Sequence, residues 1–258
     1  MKRLATILGS AFLAVLILGS AAIWDRYFRT PPIELLPLPD HLVALESPAG
    51  QALLAESDFI ADYEGLAANF VSQSRPAFCG VASTVVALNA LRESGPRLNQ
   101  STFFTQPRTE VRDAFRVSFT GMSLGQLGDV LRAHGAQAAV VYASDSNLDA
   151  FRSIAKNNLS SSGDVLLVNY QRAELGQGES GHISPLAAYH AETDRVLILD
   201  VAAYKYPPVW VSTEALWSAM NVPLNSSTNR TRGFIVVRDG KLQGMPRSAV
   251  QDSRVRRP

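Results

Sequence analysis

The amino-acid sequence predicts an α+β fold, with helices in the N-terminal half and an antiparallel sheet in the C-terminal half. Between residues 79 and 159, apolar residues recur at helical spacing, as in Val81, Val85 and Leu88. Later segments are instead short runs rich in valine, isoleucine and leucine, namely 164–170, 183–190, 195–202 and 233–238. Helices followed by strands that are joined by tight turns are typical of α+β domains.

The first 54 residues are predicted to lie outside the globular body. Residues 4–23 are uncharged and follow Lys2 and Arg3, and as a helix they are long enough, at about 30 Å, to cross a hydrocarbon core. Residues 1–24 therefore favour a membrane anchor or, since small residues precede Ile23, a cleaved signal peptide; a buried core helix is a third alternative. Either leading alternative places the body on the periplasmic side of the bacterial inner membrane or free in the periplasm. Residues 25–54 are proline-rich and predict a tether.

Each element of the body, residues 55–240, has a local signal. The helix from Cys79 to about residue 93 stops at Gly95-Pro96, and Ser123 caps a helix that ends at Gly135. A strand over 136–143 precedes a helix that Ser146 opens, and a turn at 191–194 joins two strands. A short helix at 212–220 is capped by Ser212 or Thr213, and the tail 241–258 is predicted to be disordered.

Composition excludes several classes of function. Lysine plus arginine number 24 against 23 acidic residues, so no basic excess indicates nucleic-acid binding. One cysteine excludes an internal disulfide and a multi-cysteine metal site, and the four histidines are too scattered for a helical zinc pair. The sequence therefore predicts no metal ligands.

The single cysteine, Cys79, is predicted to begin a helix after the Pro-Ala-Phe turn. The free amides and the dipole of a helix N-terminus stabilise a thiolate, which lowers a cysteine pKa and favours nucleophilic attack. The alternative is a small buried hydrophobe, the usual role of a lone cysteine.

Two further residues fit a nucleophile–base–acid triad. His182 enters one strand of the predicted hairpin and Asp200 lies towards the end of the other, so we expect them to face each other. Each alone is compatible with a structural role. Gln73 precedes Cys79 by six residues, and its amide is a candidate oxyanion donor. The same spacing and the order Gln, Cys, His, Asn/Asp occur in papain-like cysteine proteases.

Three segments carry a more specific resemblance. "QSRPAFCGVASTVVALNAL", "RAELGQGESGHISPLAAYH" and "LILDVAAYKYPPVWVSTEALWSAM" resemble the nucleophile, histidine and aspartate blocks of the phytochelatin synthase family. The resemblance covers residues 55–240 and implies a papain-like fold, with Cys79 as nucleophile, His182 as base and acid, Asp200 as orienter and Gln73 in the oxyanion hole. Arg172 matches a family arginine and is a candidate for substrate binding, as are Lys205 and Arg232.

The resemblance implies glutathione as substrate. Cys79 would release glycine and hold γ-glutamylcysteine as a thioester, which water or a second glutathione accepts. No cofactor is expected for hydrolysis, whereas Cd²⁺ or Zn²⁺ carried as a glutathione thiolate is expected to stimulate transfer. Arg75 before the proline and Ile183 after the histidine depart from the common family pattern, and a cysteine-rich extension is lacking. The chain therefore resembles the short bacterial form, in which hydrolysis dominates.

Two other functions stay open. A catalytically weak relative would hold glutathione or a metal–thiolate at the membrane surface, and a papain-like peptidase would act on a different γ-glutamyl or peptide substrate. The intact quartet favours the enzyme over the binder. A homodimer is one assembly state that the sequence leaves open.

Overall fold

The computed structural model describes residues 2–92, 95–105, 113–225 and 228–240, with side chains from Phe12 onwards. Its helices are α1 (Lys2–Tyr27), α2 (Pro48–Ala55), α3 (Tyr63–Ala68), α4 (Cys79–Leu91), α5 (Ala114–Thr120), α6 (Leu124–Ala133), α7 (Leu148–Leu159) and α8 (Thr213–Met220). Its strands are β1 (Val43–Ala44), β2 (Ala136–Tyr142), β3 (Asp164–Gln171), β4 (Gly181–His190), β5 (Arg195–Ile198), β6 (Val209–Ser212), β7 (Pro223–Asn225), β8 (Thr228–Thr231) and β9 (Gly233–Asp239).

Seven strands form one antiparallel sheet in the order β1-β6-β5-β4-β3-β9-β2, and β7 pairs with β8 in a separate ribbon. Neighbours in sequence are neighbours in space from β3 to β6, as short turns require. The last strand, β9, is the exception, because it lies between β3 and β2 and pairs with both. The fold is therefore α+β, as the sequence predicts.

Helices cover both faces of this sheet, which explains why β3 is apolar along its whole length instead of alternating. Val165 and Leu167 pack into the core beneath α4 and α6. Leu166 and Val168 point to the opposite face, where α7 and α8 cover them. A strand that is buried on both faces reads as a continuous hydrophobic run. β3 and β4 are thus fixed between two layers of helices. The candidate site lies where β3 ends and β4 begins.

Most local predictions of the body are confirmed. Ser123 and Gln126 form a reciprocal capping box at the start of α6, and the Ser212 hydroxyl accepts a hydrogen bond from the Ala215 amide at the start of α8. Asp194 completes the turn between β4 and β5 with a positive φ of 49°. The cap of α7 is Asn147 and not Ser146, because the Asn147 side chain reaches the third amide of the helix.

Residues 25–54 are more ordered than the predicted tether. β1 and α2 lie within this range, and the amides of Glu34 and Leu36 donate to the carbonyls of Tyr204 and Lys205. The proline-rich composition does not indicate this docking, because the contacts are made by backbone groups of an extended segment. The packed body thus begins near Glu34 and not near residue 55.

The segment expected to be an anchor or a signal peptide forms α1. No helix in the part of the chain with described side chains is long and apolar enough to cross a membrane. The anchor, the signal peptide and the periplasmic location stay predictions. The expected disordered tail, 241–258, lies outside the described residues.

Candidate active site

Cys79 is the first residue of α4, which begins without a side-chain cap at Phe78. One turn further along the helix, the Ser83 hydroxyl donates a hydrogen bond to the Ile183 carbonyl at 2.9 Å. This bond and the packing of α4 on β4 fix the start of the helix beside the start of the strand. Cys79 therefore lies against the segment that carries His182.

The surroundings of Cys79 act on its thiol in opposite directions. Burial raises the pKa, whereas the amides of Ile183 and Gly80, which point at the sulfur, and the Arg172 charge lower it. The net result is a raised pKa, which differs from the lowered value expected of a helix N-terminus, because burial outweighs the amides. Cys79 is nevertheless partly exposed, towards a cavity. The resting residue is a neutral thiol that a base must deprotonate.

His182 and Asp200 meet, although not as a directly opposed hairpin pair. β5 ends at Ile198, and the chain then bends over the start of β4, where the Val201 amide donates to the Ser184 hydroxyl. The bend brings Asp200 Oδ1 to 2.8 Å from His182 Nε2. The ring N–H is not well aligned for a hydrogen bond, so the contact is primarily electrostatic. His182 Nδ1 is left as the ring atom available to a thiol.

Asp200 is fully buried and has three partners. Arg172 Nη2 lies 2.7 Å from the carboxylate, the Ala202 amide donates at 2.8 Å, and His182 is the third. Burial works to raise the pKa of Asp200, but His182 and Arg172 hold it well below the usual range. Asp200 is therefore ionised throughout the physiological pH range.

Arg172 lies beneath the site and is 1% exposed. Its guanidinium donates to Asp200 and to Gln177, and it stacks over the Tyr206 ring at 5.0 Å. These contacts occupy the Arg172 guanidinium, which the sequence analysis predicts as a candidate for binding a substrate carboxylate. The structure places Arg172 where it supports the aspartate.

The His182 ring is held on its other side by Tyr170, which is its direct neighbour across β3 and β4. The two rings meet edge to face with centroids 5.7 Å apart. Burial, and then the nearby Arg172 charge, lower the pKa of His182, while Asp200 raises it. The imidazole is therefore neutral near neutral pH, which suits a base that accepts the thiol proton.

Gln73 is buried close to the loop that carries Asp200, and its backbone amide donates to the Val201 carbonyl. Its side-chain nitrogen donates to the carbonyls of Arg75 and Pro76, at 3.0 and 2.7 Å. In this arrangement the amide orders the turn before Cys79. The oxyanion role of Gln73 stays a prediction.

A cavity of about 570 Å³ opens beside these groups and brings the predicted residues together. Cys79, His182, Gln73, Lys205, Arg172 and Arg232 all line it. Burial, and then Arg172, lower the pKa of Lys205, and Arg232 donates to Asn169 and Gln171 near the end of β3. Gly181 permits this position, since a Cβ there would lie 2.6 Å from Arg232 Nη1. The cavity wall is thus strongly basic around the cysteine.

Sequence reasoning did not find the contributions of Tyr170 and Tyr206, which enclose His182 and Arg172. A signal for Tyr170 was present. Tyr170 ends the predicted strand 164–170, and an antiparallel pairing of this strand with the next one places it beside His182. No signal existed for Tyr206, since its contact depends on the path of the loop. In the described part of the chain, no group of three or more histidine, cysteine, aspartate or glutamate side chains could hold a metal ion.

Comparison with known proteins identifies the family of the chain. The phytochelatin synthase family model matches residues 33–234, a range that includes Gln73, Cys79, His182 and Asp200. The chain belongs to the phytochelatin synthase family. The match also begins where the structure begins to pack, near Glu34, and not at residue 55.

Several curated relatives belong to the same group. A protein of Lotus japonicus named glutathione gamma-glutamylcysteinyltransferase 3 is 32% identical over 235 residues, which are 89% of this chain and 47% of the relative. The enzyme numbered 2 of Arabidopsis thaliana is 36% identical over 176 residues, 67% of this chain and 39% of its own. The Schizosaccharomyces pombe enzyme is 25% identical over 206 residues, 78% and 50% of the two chains. The chain spans about half the length of the curated relatives it matches.

Proposed function

We propose that the protein is a cysteine acyltransferase that cleaves glycine from glutathione and passes the γ-glutamylcysteinyl group mainly to water. The observation that carries the proposal is the meeting of Cys79, His182 and Asp200 beside one basic cavity. The names of the relatives support glutathione as the substrate. The order and arrangement of the triad support the papain-like relationship.

The first half-reaction follows from the resting charges. His182 Nδ1 takes the thiol proton as Cys79 Sγ attacks the carbonyl carbon of the cysteinyl–glycine amide. Amides at the start of α4 stabilise the negative charge that develops on the carbonyl oxygen, with Gln73 as a second donor. The C–N bond then breaks, the His182 proton goes to the leaving nitrogen, and glycine departs from the thioester.

The second half-reaction returns the enzyme to its first state. His182 removes a proton from water, or from the amino group of a second glutathione, as that nucleophile attacks the thioester carbonyl. The C–S bond breaks and the proton returns to the sulfur. Asp200 stabilises the imidazolium in both halves, and Arg172 keeps Asp200 ionised and oriented.

Product analysis tests the proposal. The full chain is incubated with glutathione, with and without Cd²⁺, beside a Cys79→Ala variant. Glycine and γ-glutamylcysteine from the wild type alone are expected, and chains of repeated γ-glutamylcysteine that increase with metal would indicate substantial transfer. If calorimetry detects glutathione binding but no glycine is released, the proposed acyltransferase is wrong and the alternative of a glutathione-binding protein is supported. Release from other γ-glutamyl peptides but not from glutathione would indicate a different peptidase.

A further inference from the structure

The last turn of α1 forms one wall of the active-site cavity. Phe28 packs against Phe115 and Phe119 of α5, with ring centroids 5.7 and 5.4 Å apart, and Tyr27 lies 4.6 Å from Phe119. Tyr27 and Phe28 are half-buried by these ring contacts, while Phe115 and Phe119 stay partly exposed. The contacts place the end of α1 beside α5 at the cavity.

Arg75 connects this wall to the nucleophile. Its guanidinium lies 5.3 Å from the Phe28 ring and 4.7 Å from the ring of Phe78, the residue before Cys79, and it donates to Ser118 of α5. Arg75 is one of the two departures from the common family pattern. Here it holds together the turn before Cys79, α5 and the end of α1.

Arg26 lies in this turn and lines the cavity together with Phe119 and Thr120. It is exposed, and no described residue forms an ion pair or a hydrogen bond with it. Three residues further on, Arg29 is ion-paired to Asp25 at 2.7 Å and does not line the cavity. Arg26 also precedes the residues that the family model matches, 33–234. Arg26 therefore lies at the cavity but outside the range that the family model matches.

The basic residues of the cavity lie at different depths. Lys205 and Arg232 are partly buried beside the reactive centre, and Arg172 is committed to Asp200, whereas Arg26 is exposed. Glu179 is the acidic residue among the described residues that line the cavity. A substrate with two carboxylates can thus meet a cation at depth and another near solvent.

The reaction assigns these positions to different parts of the substrate. The γ-glutamylcysteinyl group stays on the enzyme between the half-reactions, so it belongs with the partly buried cations. Glycine must leave and be replaced, so it belongs on the solvent side. Glycine and the glutamyl end of an accepting glutathione have the same local chemistry, because in both the reacting nitrogen is one carbon removed from a carboxylate. The glycine nitrogen leaves the acyl carbon and the amino group of the accepting glutathione attacks it. The two steps therefore place the nitrogen and its neighbouring carboxylate in the same position, in opposite directions of reaction.

We propose that Arg26 binds the carboxylate next to the reacting nitrogen, first on the leaving glycine and then on the amino acid that accepts the acyl group. This inference rests on the proposed function and extends it to the acceptor, for which it names the class: a free α-amino carboxylate. A guanidinium suits this role because it binds a carboxylate through two parallel hydrogen bonds.

Kinetics of the full chain test the proposal with two substrates, glutathione and its C-terminal amide, which lacks the glycine carboxylate. Arg26→Ala should raise KM for glutathione about tenfold, the value of one charged hydrogen-bonded contact, and should change KM for the amide by less than about twofold. Arg29→Ala is the matched control, and we expect both KM values to be unchanged. With added α-amino acids as acceptors, Arg26→Ala should also lower the ratio of transfer to hydrolysis.

A binding measurement separates this proposal from the proposed function. In a Cys79→Ala background, which cannot turn over, Arg26→Ala should weaken glutathione binding by a similar factor in calorimetry and should leave binding of the amide unchanged. An equal loss for both ligands, an equal loss from Arg29→Ala, or no loss from Arg26→Ala would overturn the role of Arg26. A second outcome separates the two proposals. If Arg26→Ala weakens binding of glutathione but not of the amide, and the wild type releases no glycine, the role of Arg26 stands and the proposed cleavage of glutathione is wrong.

Discussion

Two buried carboxylates near opposite ends of β3 are in opposite charge states. Asp200, near the end at Gln171, is ionised because Arg172 and His182 contact it. Asp62, near the end at Asp164, is 6% exposed, and its Oδ2 atom has no hydrogen-bond partner among the described residues. Burial, and then repulsion by Asp164, raise the pKa of Asp62 to about 8.

The difference shows that burial alone does not determine the charge of a carboxylate. Desolvation acts to raise both pKa values, but only Asp200 contacts His182 and the cation Arg172, which together reverse the effect. Asp62 is predominantly protonated at neutral pH, whereas Asp200 is ionised beside His182. The fold thus concentrates its buried charge at the end of the sheet where the proposed chemistry takes place.

The largest effect is expected from removing the cation beneath Asp200. Arg172→Met leaves the Asp200 carboxylate buried without its main partner, which should cost about 3–5 kcal/mol in the free energy of unfolding and abolish glycine release. Urea denaturation and a glycine assay measure the two effects. Arg172→Lys is the control, because it keeps a positive charge and should retain part of the stability. A loss of less than about 1 kcal/mol in the methionine variant would show that Asp200 does not depend on Arg172.

The next effect is on catalysis. Asp200→Asn keeps the shape of the side chain but removes the charge that stabilises the His182 imidazolium, so kcat/KM should fall by about 10²–10⁴. Because burial and Arg172 already lower the His182 pKa and Asp200 opposes them, the acid limb of the pH profile should lie below pH 6.5 in the wild type and move lower still in the variant. Stopped assays between pH 4 and 9 test both statements. An acid limb at or above 6.5 in the wild type would contradict them.

At the other end of β3, Asp62→Asn should change stability in a pH-dependent manner. The folded-state pKa of Asp62 is raised, so its contribution to stability is fully present below the unfolded pKa, near 4, and is lost as pH rises through about 8. The amide cannot ionise. The variant should therefore match the wild type at pH 4.5 and exceed it at pH 9, by on the order of a few kcal/mol.

Urea midpoints at these two pH values measure the difference. Asp58→Asn, an exposed change nearby, is the control and should give the same difference from the wild type at both values. A constant effect of Asp62→Asn across the pH range would show that Asp62 does not titrate with a raised pKa.

The smallest effect is expected from a single methyl group. In Gly181→Ala the new Cβ would overlap Arg232 Nη1, so the guanidinium must leave Asn169 and Gln171. Because Arg232 lies in the cavity wall, KM for glutathione should rise roughly tenfold, about 1.4 kcal/mol, with little change in kcat. Gly178→Ala is less crowded, at 3.3 Å from Lys205 Nζ, and should have a smaller effect. Unchanged kinetics in both variants would show that Arg232 does not meet the substrate.

The local parts of this comparison could be predicted from sequence and the tertiary parts could not. The position of Cys79 at a helix start, the Ser123 cap and the β4–β5 turn follow from short-range spacing. The two charge states do not, because packing brings Asp62 and Asp164 together and places the Tyr206 ring against Arg172. Sequence therefore identified the catalytic candidates but not the groups that set their charges.

The docked N-terminal segment was missed for a related reason. The amides of Glu34 and Leu36 bond to backbone carbonyls, so no side-chain pattern marks the contact. β6 was not predicted because it has only four residues after Pro207 and Pro208, too few to show the alternation of apolar and polar residues that is typical of a strand. Composition alone indicated a tether where the chain docks on the loop that carries Tyr204 and Lys205.

The insertion of β9 between β3 and β2 has a consequence for biosynthesis. β2 is made early, but its partner strand is β9, at residues 233–239. During translation, β2 and the helix that covers it must wait for almost one hundred further residues, and pairing over such a separation is slow. The sheet that holds His182 against α4 is therefore completed only after nearly all of the folded domain has left the ribosome. The pairing that places Cys79 beside His182 is therefore expected to be among the last steps in folding of the nascent chain.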